Sequence, residues 1–217
     1  MASPPTVHDL RQRIDEMQPL RLDDRALPTD PTLAGLLPER ALRRGAAYSI
    51  QGSDSLALAL LAAASTNGLW CAVIGCPAFG AEAAAGIGVA LDRCALIPRP
   101  GDQGIVLAGL LSEAFDVVAL RPPGRVGAGD AGRVAARLRE HGSALVVLGD
   151  WPRTESTLTV TGSRWHGLGR GYGMLDAREI AVQSRDRRGV RQHFVRFTRD
   201  GIVCGTLPAS NVRSVRA

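Results

Sequence analysis

No lysine occurs among the 217 residues; all 26 basic side chains are arginine. Any phosphate site that depends on a lysine ammonium is therefore excluded, wherever in the chain the lysine would have to come from. Arginine without lysine, together with abundant alanine and glycine, also fits a GC-rich coding bias. Aromatic residues make up only 4% of a chain that is 45% apolar, which predicts an aliphatic, alanine-rich core. The four cysteines, Cys71, Cys76, Cys94 and Cys204, show no C-x-x-C pairing. They read as buried reduced thiols rather than zinc ligands or disulfides. His8, His141, His166 and His193 lack metal-ligand spacing and read as surface or turn residues, so no metal is expected. The opening MASPPTVHDL has no apolar signal core, and the longest apolar run, Leu56–Ala64, is about half of a membrane crossing. A cytoplasmic location without a membrane partner is expected.

The length suits one compact domain with a short appendage. The net charge of +5 is unevenly placed. Residues 1–150 hold 14 arginines against 16 acids, whereas residues 151–217 hold 12 against 5. The basic C-terminal third predicts a polyanion or an acidic partner.

Another absence sits at a defined place. Ala46–Ala64 reads as a strand, a glycine turn and a helix, the setting of a phosphate-binding loop. Such a loop needs G-x-x-x-x-G-K-[ST]: backbone N–H groups around the phosphates, a lysine on their oxygens and a hydroxyl on Mg²⁺. Counted from Gly52, through Ser53, Asp54 and Ser55, the second glycine is Ala57, the lysine Leu58 and the hydroxyl Ala59. The skeleton of a nucleotide site is present without its chemistry.

Four segments follow along the chain. Residues 1–19 hold an amphipathic helix with Val7, Leu10, Ile14 and Met17 on one face and a Thr6/Asp9 capping box. A Pro- and Asp-rich linker is expected over residues 20–43. From residue 44 to 156, strands AAYSI, WCAVIG, CALI, FDVVAL and ALVVLG alternate with helices Asp54–Asn67, Phe79–Gly88, Gly101–Glu113 and Gly129–His141. This order predicts an α/β fold with a mostly parallel, helix-flanked sheet. Residues 157–217 carry strands TLTVT, REIAVQS, QHFVRF and IVCGTL with no helix between them, an antiparallel extension of that sheet with turns at Arg185–Gly189 and Arg199–Gly201.

The segments LLPERALRRGAAYSIQG, LWCAVIG, AFDVVALRPP, GSALVVLGDWP and LTVTGSRWHGLGRG resemble the RecA ATPase core. They are most similar to the ImuA family in its short actinobacterial form, ImuA-prime, over about residues 34–185. The resemblance implies a RecA-like core and allows each catalytic position to be checked. The base position is Pro77, which cannot accept a proton. The magnesium aspartate matches Arg121, or Leu120 if the register slips by one. Asp150 stands at the sensing glutamine. The two DNA-gripping loops shrink to Pro122–Ala128 and Trp151–Ser156. The resemblance thus implies a catalytically inactive adaptor, not an enzyme, with no cofactor. It would serve the damage-inducible, SOS-type mutasome in translesion synthesis and induced mutagenesis. Its partners would be ImuB, a Y-family polymerase homologue lacking its own catalysis, and a C-family polymerase. RecA, single-stranded DNA and self-association through the N-terminal helix are further candidates. The alternative is a DNA- or RecA-binding regulator of recombination and the damage response. A nucleotide hydrolase with an unusual site is a third reading.

Two surface constellations remain. Arg164, Trp165 and Arg170, with Tyr172, surround alternating glycines; they could dock phosphates and stack bases, or form an ordinary hairpin loop. Arg185, Arg187, Arg188 and Arg191, with Arg196 and Arg199, follow one hairpin, as a solvated face, a phosphate surface or a contact for an acidic protein. Asp116 and Asp150 do not read as a shared acid–base pair, since one precedes and one follows its strand.

Overall fold

A computed structural model describes residues 25–167 and 176–206. The first element is a two-stranded antiparallel pair, β1 (Ala26–Leu27) and β2 (Leu42–Arg43). An alternating α/β run follows: β3 (Ala47–Gln51), α1 (Asp54–Thr66), β4 (Cys71–Ile74), α2 (Ala81–Ile87), β5 (Cys94–Ile97), α3 (Gly104–Leu111), β6 (Val117–Leu120), α4 (Ala128–His141) and β7 (Ala144–Leu148). Four long strands close the described chain: β8 (Ser156–His166), β9 (Ala177–Asp186), β10 (Gly189–Thr198) and β11 (Gly201–Thr206).

Nine strands form one sheet in the order β11-β10-β9-β8-β3-β7-β6-β4-β5. Every pairing from β8 to β5 is parallel and every pairing from β8 to β11 is antiparallel, so β8 joins the two halves. This is the mixed α/β class that the strand–helix alternation predicts. β4, β6 and β7 are buried throughout, as strands covered on both faces must be. No helix among the described residues is long and apolar enough to cross a membrane.

Alternation along the strands divides the core into two layers. On one face, Tyr48, Ile50, Val73, Val117, Ala119 and Val146 pack beneath α1. On the other, Ile74, Val118, Leu120, Leu145 and Val147 meet Ala108 of α3 and Ala131, Val134 and Leu138 of α4. α4 is amphipathic and, as the sequence predicts, closes at Gly142, whose φ of +66° is the left-handed cap that glycine supplies most easily. The body of α1 is almost wholly apolar, DSLALALLAAAST, because it lies between the sheet and α2.

The stretch expected as a linker is, from Ala26 onward, part of the core. Leu27, Leu33, Leu36, Leu37 and Leu42 are fully buried in the α1-side layer. They cover the inner face of the antiparallel half, where Ile180, Val182 and Val195 lie. The Tyr48 hydroxyl accepts the N–H of Arg43 at 2.9 Å and holds the end of this strap to the sheet. A proline-rich composition concealed leucines whose partners lie some 150 residues later in sequence. Other differences are of extent: β8 runs to His166 rather than 161, and the helix expected from Gly101 begins with a 3₁₀ turn before α3.

Candidate functional site

In an open α/β sheet, ligands bind beyond the carboxyl ends of strands whose connections leave in different directions. Here β3 leads to α1 on one face, and β6 leads to α4 on the other. A crevice of about 860 Å³ opens beyond β3, β6 and β7, lined by Gln51, Arg121, Arg125, Asp150 and Trp151, among others. Beside it lies a cavity of about 520 Å³ between α1 and the segment after β4.

The turn between β3 and α1 is only Gly52 and Ser53. Gly52 has φ +86° and packs on Val160. Ser53 is an extended N-cap whose Oγ accepts the N–H of Leu56 at 3.2 Å, so the turn uses one of its own donors internally. Ala57, Leu58 and Ala59, the motif's last three positions, sit inside α1. Leu58 forms part of the apolar wall of the smaller cavity, with Val73, Pro77, Phe79 and Ile87.

Arg121 follows β6 directly and lines both spaces. Its guanidinium donates to Asp54 Oδ1 at 2.5 Å, joining the end of β6 to the first turn of α1. Burial acts to lower the Arg121 pKa, but Asp54 and the Cys76 thiol outweigh it, and the net shift is upward. Burial pushes the Cys76 thiol above its ordinary range in spite of Arg121, so it stays protonated. The cavity therefore offers one cation and one carboxylate that neutralise each other, against apolar walls. A triphosphate with its magnesium would have to separate that pair.

Gly75 is a positioning residue that reading the sequence missed. Its φ is +76°, and a Cβ there would overlap the carbonyl oxygen of Arg121. Gly75 N–H donates to Ile97 O, and Arg121 N–H to Ile74 O, each at 2.9 Å. The close backbone approach presents the Arg121 side chain to Asp54. A glycine at the very end of a buried strand was the available signal.

On the larger crevice, several polar groups bond each other. Gln51 donates to Asp150 Oδ1 at 2.5 Å and accepts the Thr159 hydroxyl at 2.9 Å; Ser49 donates to Gly149 O at 2.6 Å. Asp116 lies at the opposite end of the sheet, paired with Arg44 at 3.2 Å and accepting the Trp70 N–H. The two aspartates are not brought together. No group of three or more His, Cys, Asp or Glu side chains among the described residues could hold a metal ion.

A family model, the MT3502 N-terminal domain, matches residues 35–153, more than half of the chain. The chain belongs to the MT3502 family. It is also 35% identical over 120 residues to the "Uncharacterized protein Rv3395c" of Mycobacterium tuberculosis (strain ATCC 25618 / H37Rv), a match covering 54% of this chain. The chain spans 59% of the length of that curated relative. The MT3502 domain contains Gly52, Ser53, Asp54, Ser55, Leu58, Pro77 and Arg121, and the Arg121–Asp54 pair with them.

The basic surface residues fall outside the MT3502 domain, and the fold separates them. Arg187 and Arg188 both bond Glu39 Oε1, at 3.0 and 2.9 Å, and Arg188 also donates to Pro38 O. Arg191 bonds Asp186 Oδ2 at 2.6 Å, and that carboxylate is 1% exposed. Arg187 and Arg188 fasten the β9–β10 turn to the strap and Arg191 pairs within the hairpin, so the three do not form a free cationic patch. Arg185 and Arg164 are exposed. Trp165 is 58% exposed, and Arg178 stacks over it at 5.4 Å while donating to Ser163. Arg170 lies outside the described residues, as do Val7, Leu10, Ile14 and Met17. His193 is not a surface residue: it is buried and hydrogen-bonded to Ser184 at 3.0 Å. Its alternation with Val195 on one strand face was the missed signal.

Proposed function

We propose that the chain is a catalytically inactive, RecA-like adaptor of the ImuA type, working with an ImuB-type polymerase homologue in damage-induced, error-prone translesion synthesis. The observation carrying this reading is the Arg121–Asp54 pair beside the smaller cavity. A chain that keeps the strand–turn–helix frame but fills its phosphate position with an internal ion pair retains a shape for docking, not for hydrolysis. The residues quoted for the ImuA resemblance support the choice of partner, and membership of the MT3502 family is compatible with it.

Trp165 is the best-placed protein anchor. It stands exposed near the end of the β8–β9 hairpin with Arg178 stacked on it, and tryptophan and arginine are the residue types that most often dominate interfaces. Co-expression with ImuB and affinity capture of the full chain tests the adaptor reading. Wild type should co-purify with ImuB and Trp165→Ala should lose most of it. Absence of any wild-type complex would contradict the reading.

A further inference from the structure

The antiparallel half of the sheet has one covered face and one open face. Leu158, Ile180, Val182 and Val195 point into the α1-side core. The layer beneath α3 and α4 contains no residue of β8–β11. The opposite face of these four strands is thus left uncovered by the described helices. It continues directly from the large crevice, since Thr157 lies beside Ser49 and Thr159 beside Gln51 in the parallel β3–β8 register.

Register fixes what this open face carries. One cross-strand row is Gly162–Ala181–Phe194–Gly205. Three members of that row are small, and the Phe194 ring lies over Gly205, where a Cβ would overlap it. The next row towards the hairpin end is Arg164–Glu179–Arg196. On the other side, Gln183 pairs with Thr159 and Gln192, and beyond them comes Arg185. Each strand step is about 4.8 Å, so the row of small residues is about 14 Å wide. The Arg164/Arg196 row stands about 20 Å from Arg185 at the strand rise.

We propose that this open face is a platform for single-stranded nucleic acid. The shallow row of small residues lets a flat base approach the sheet and rest beside Phe194. Arg164 and Arg185 flank that row where a backbone would pass, while Arg196, between Glu179 and Val203 in its own row, is paired with Glu179 at 3.9 Å. Glutamine and threonine side chains between them supply donors and acceptors. Stacking on an aromatic with flanking cations is how single strands are held without sequence preference. A protein partner fits less well, because Val190, Phe194 and Val203 lie in separate rows and form no central apolar cluster. Trp165 is not part of the platform. Its register partner Arg178 shares the inner side with Ile180, so Trp165 and Arg164 lie on opposite faces of β8.

The platform goes beyond the adaptor reading and can fail separately from it. The test is fluorescence anisotropy of the full chain with labelled (dT)15 and a duplex of the same length. Single strand should bind more tightly than duplex, and the log–log salt slope should be about −1.4, from two phosphate contacts at about 0.7 each. Arg164→Ala with Arg185→Ala, both exposed positions, should weaken binding about tenfold or more while ImuB capture persists. Phe194→Ala should weaken it as well, and the arginine pair carries the test if Phe194→Ala does not fold. No saturable binding at low salt would overturn the proposal. So would wild-type affinity in the double variant, or displacement of (dT)15 by polyglutamate as effective as that by unlabelled (dT)15.

Discussion

Single residues decide whether the carboxyl end of the sheet can take a phosphate. Leu58 was readable against the phosphate-loop motif because that motif is local in sequence, whereas Pro77 and Arg121 were matched to catalytic positions only through the RecA resemblance. The partner of Arg121 was not legible, since Asp54 stands 67 positions earlier and only the fold brings the two together. Both side chains of this pair are partly exposed, so Arg121→Ala should cost no more than about 1 kcal/mol. It should restore no ATP binding either, because the lysine, the hydroxyl and the metal carboxylate are still missing. Gly75 is the more sensitive position. Gly75→Ala places a side chain in left-handed backbone and against Arg121 O, and should destabilise by at least about 2 kcal/mol in thermal or urea melts. A near-neutral melt would show that β4 and β6 can move apart.

Elements explain where sequence reading was accurate and where it was not. The strands and helices between residues 44 and 156 were readable because short apolar runs alternate along the chain and most of them end at or near a glycine or proline. The strap over residues 26–43 was not, because its leucines have no regular period and are recognisable only by what they cover. Leu36→Ala should therefore cost about 2–5 kcal/mol, as a core cavity does, and not the near-zero cost of a linker change. A denaturant midpoint measured beside wild type checks this. In the antiparallel half, burial first and then the Arg191 charge lower the His193 pKa. The unfolded chain then binds the proton more tightly, with a pKa of about 6.5, so stability is full above that value. It should fall as the pH drops from about 6.5 towards the lower folded value. Melts from pH 7.5 to 5 should show this loss in wild type and a flatter profile in His193→Gln; parallel profiles would exclude His193 as the source.

The whole molecule separates its surfaces. At the carboxyl end of the sheet the Arg121–Asp54 pair stands between open crevices, the inner side of the β8–β9 hairpin presents Trp165, and the outer face of β8–β11 presents arginines around Phe194. The charge split in the sequence located the basic third but not its division between faces. Arg187, Arg188 and Arg191 look free in sequence and are bound in the fold to Glu39 and Asp186, one of them a carboxylate almost 150 residues away. Direct calorimetry tests whether the Arg121–Asp54 pair, beside the turn after β3, leaves a place for a nucleotide. Titrating Mg-ATP into the full chain should give no saturable heat. A micromolar dissociation constant would contradict the account, because nucleotide could then displace the Arg121–Asp54 pair.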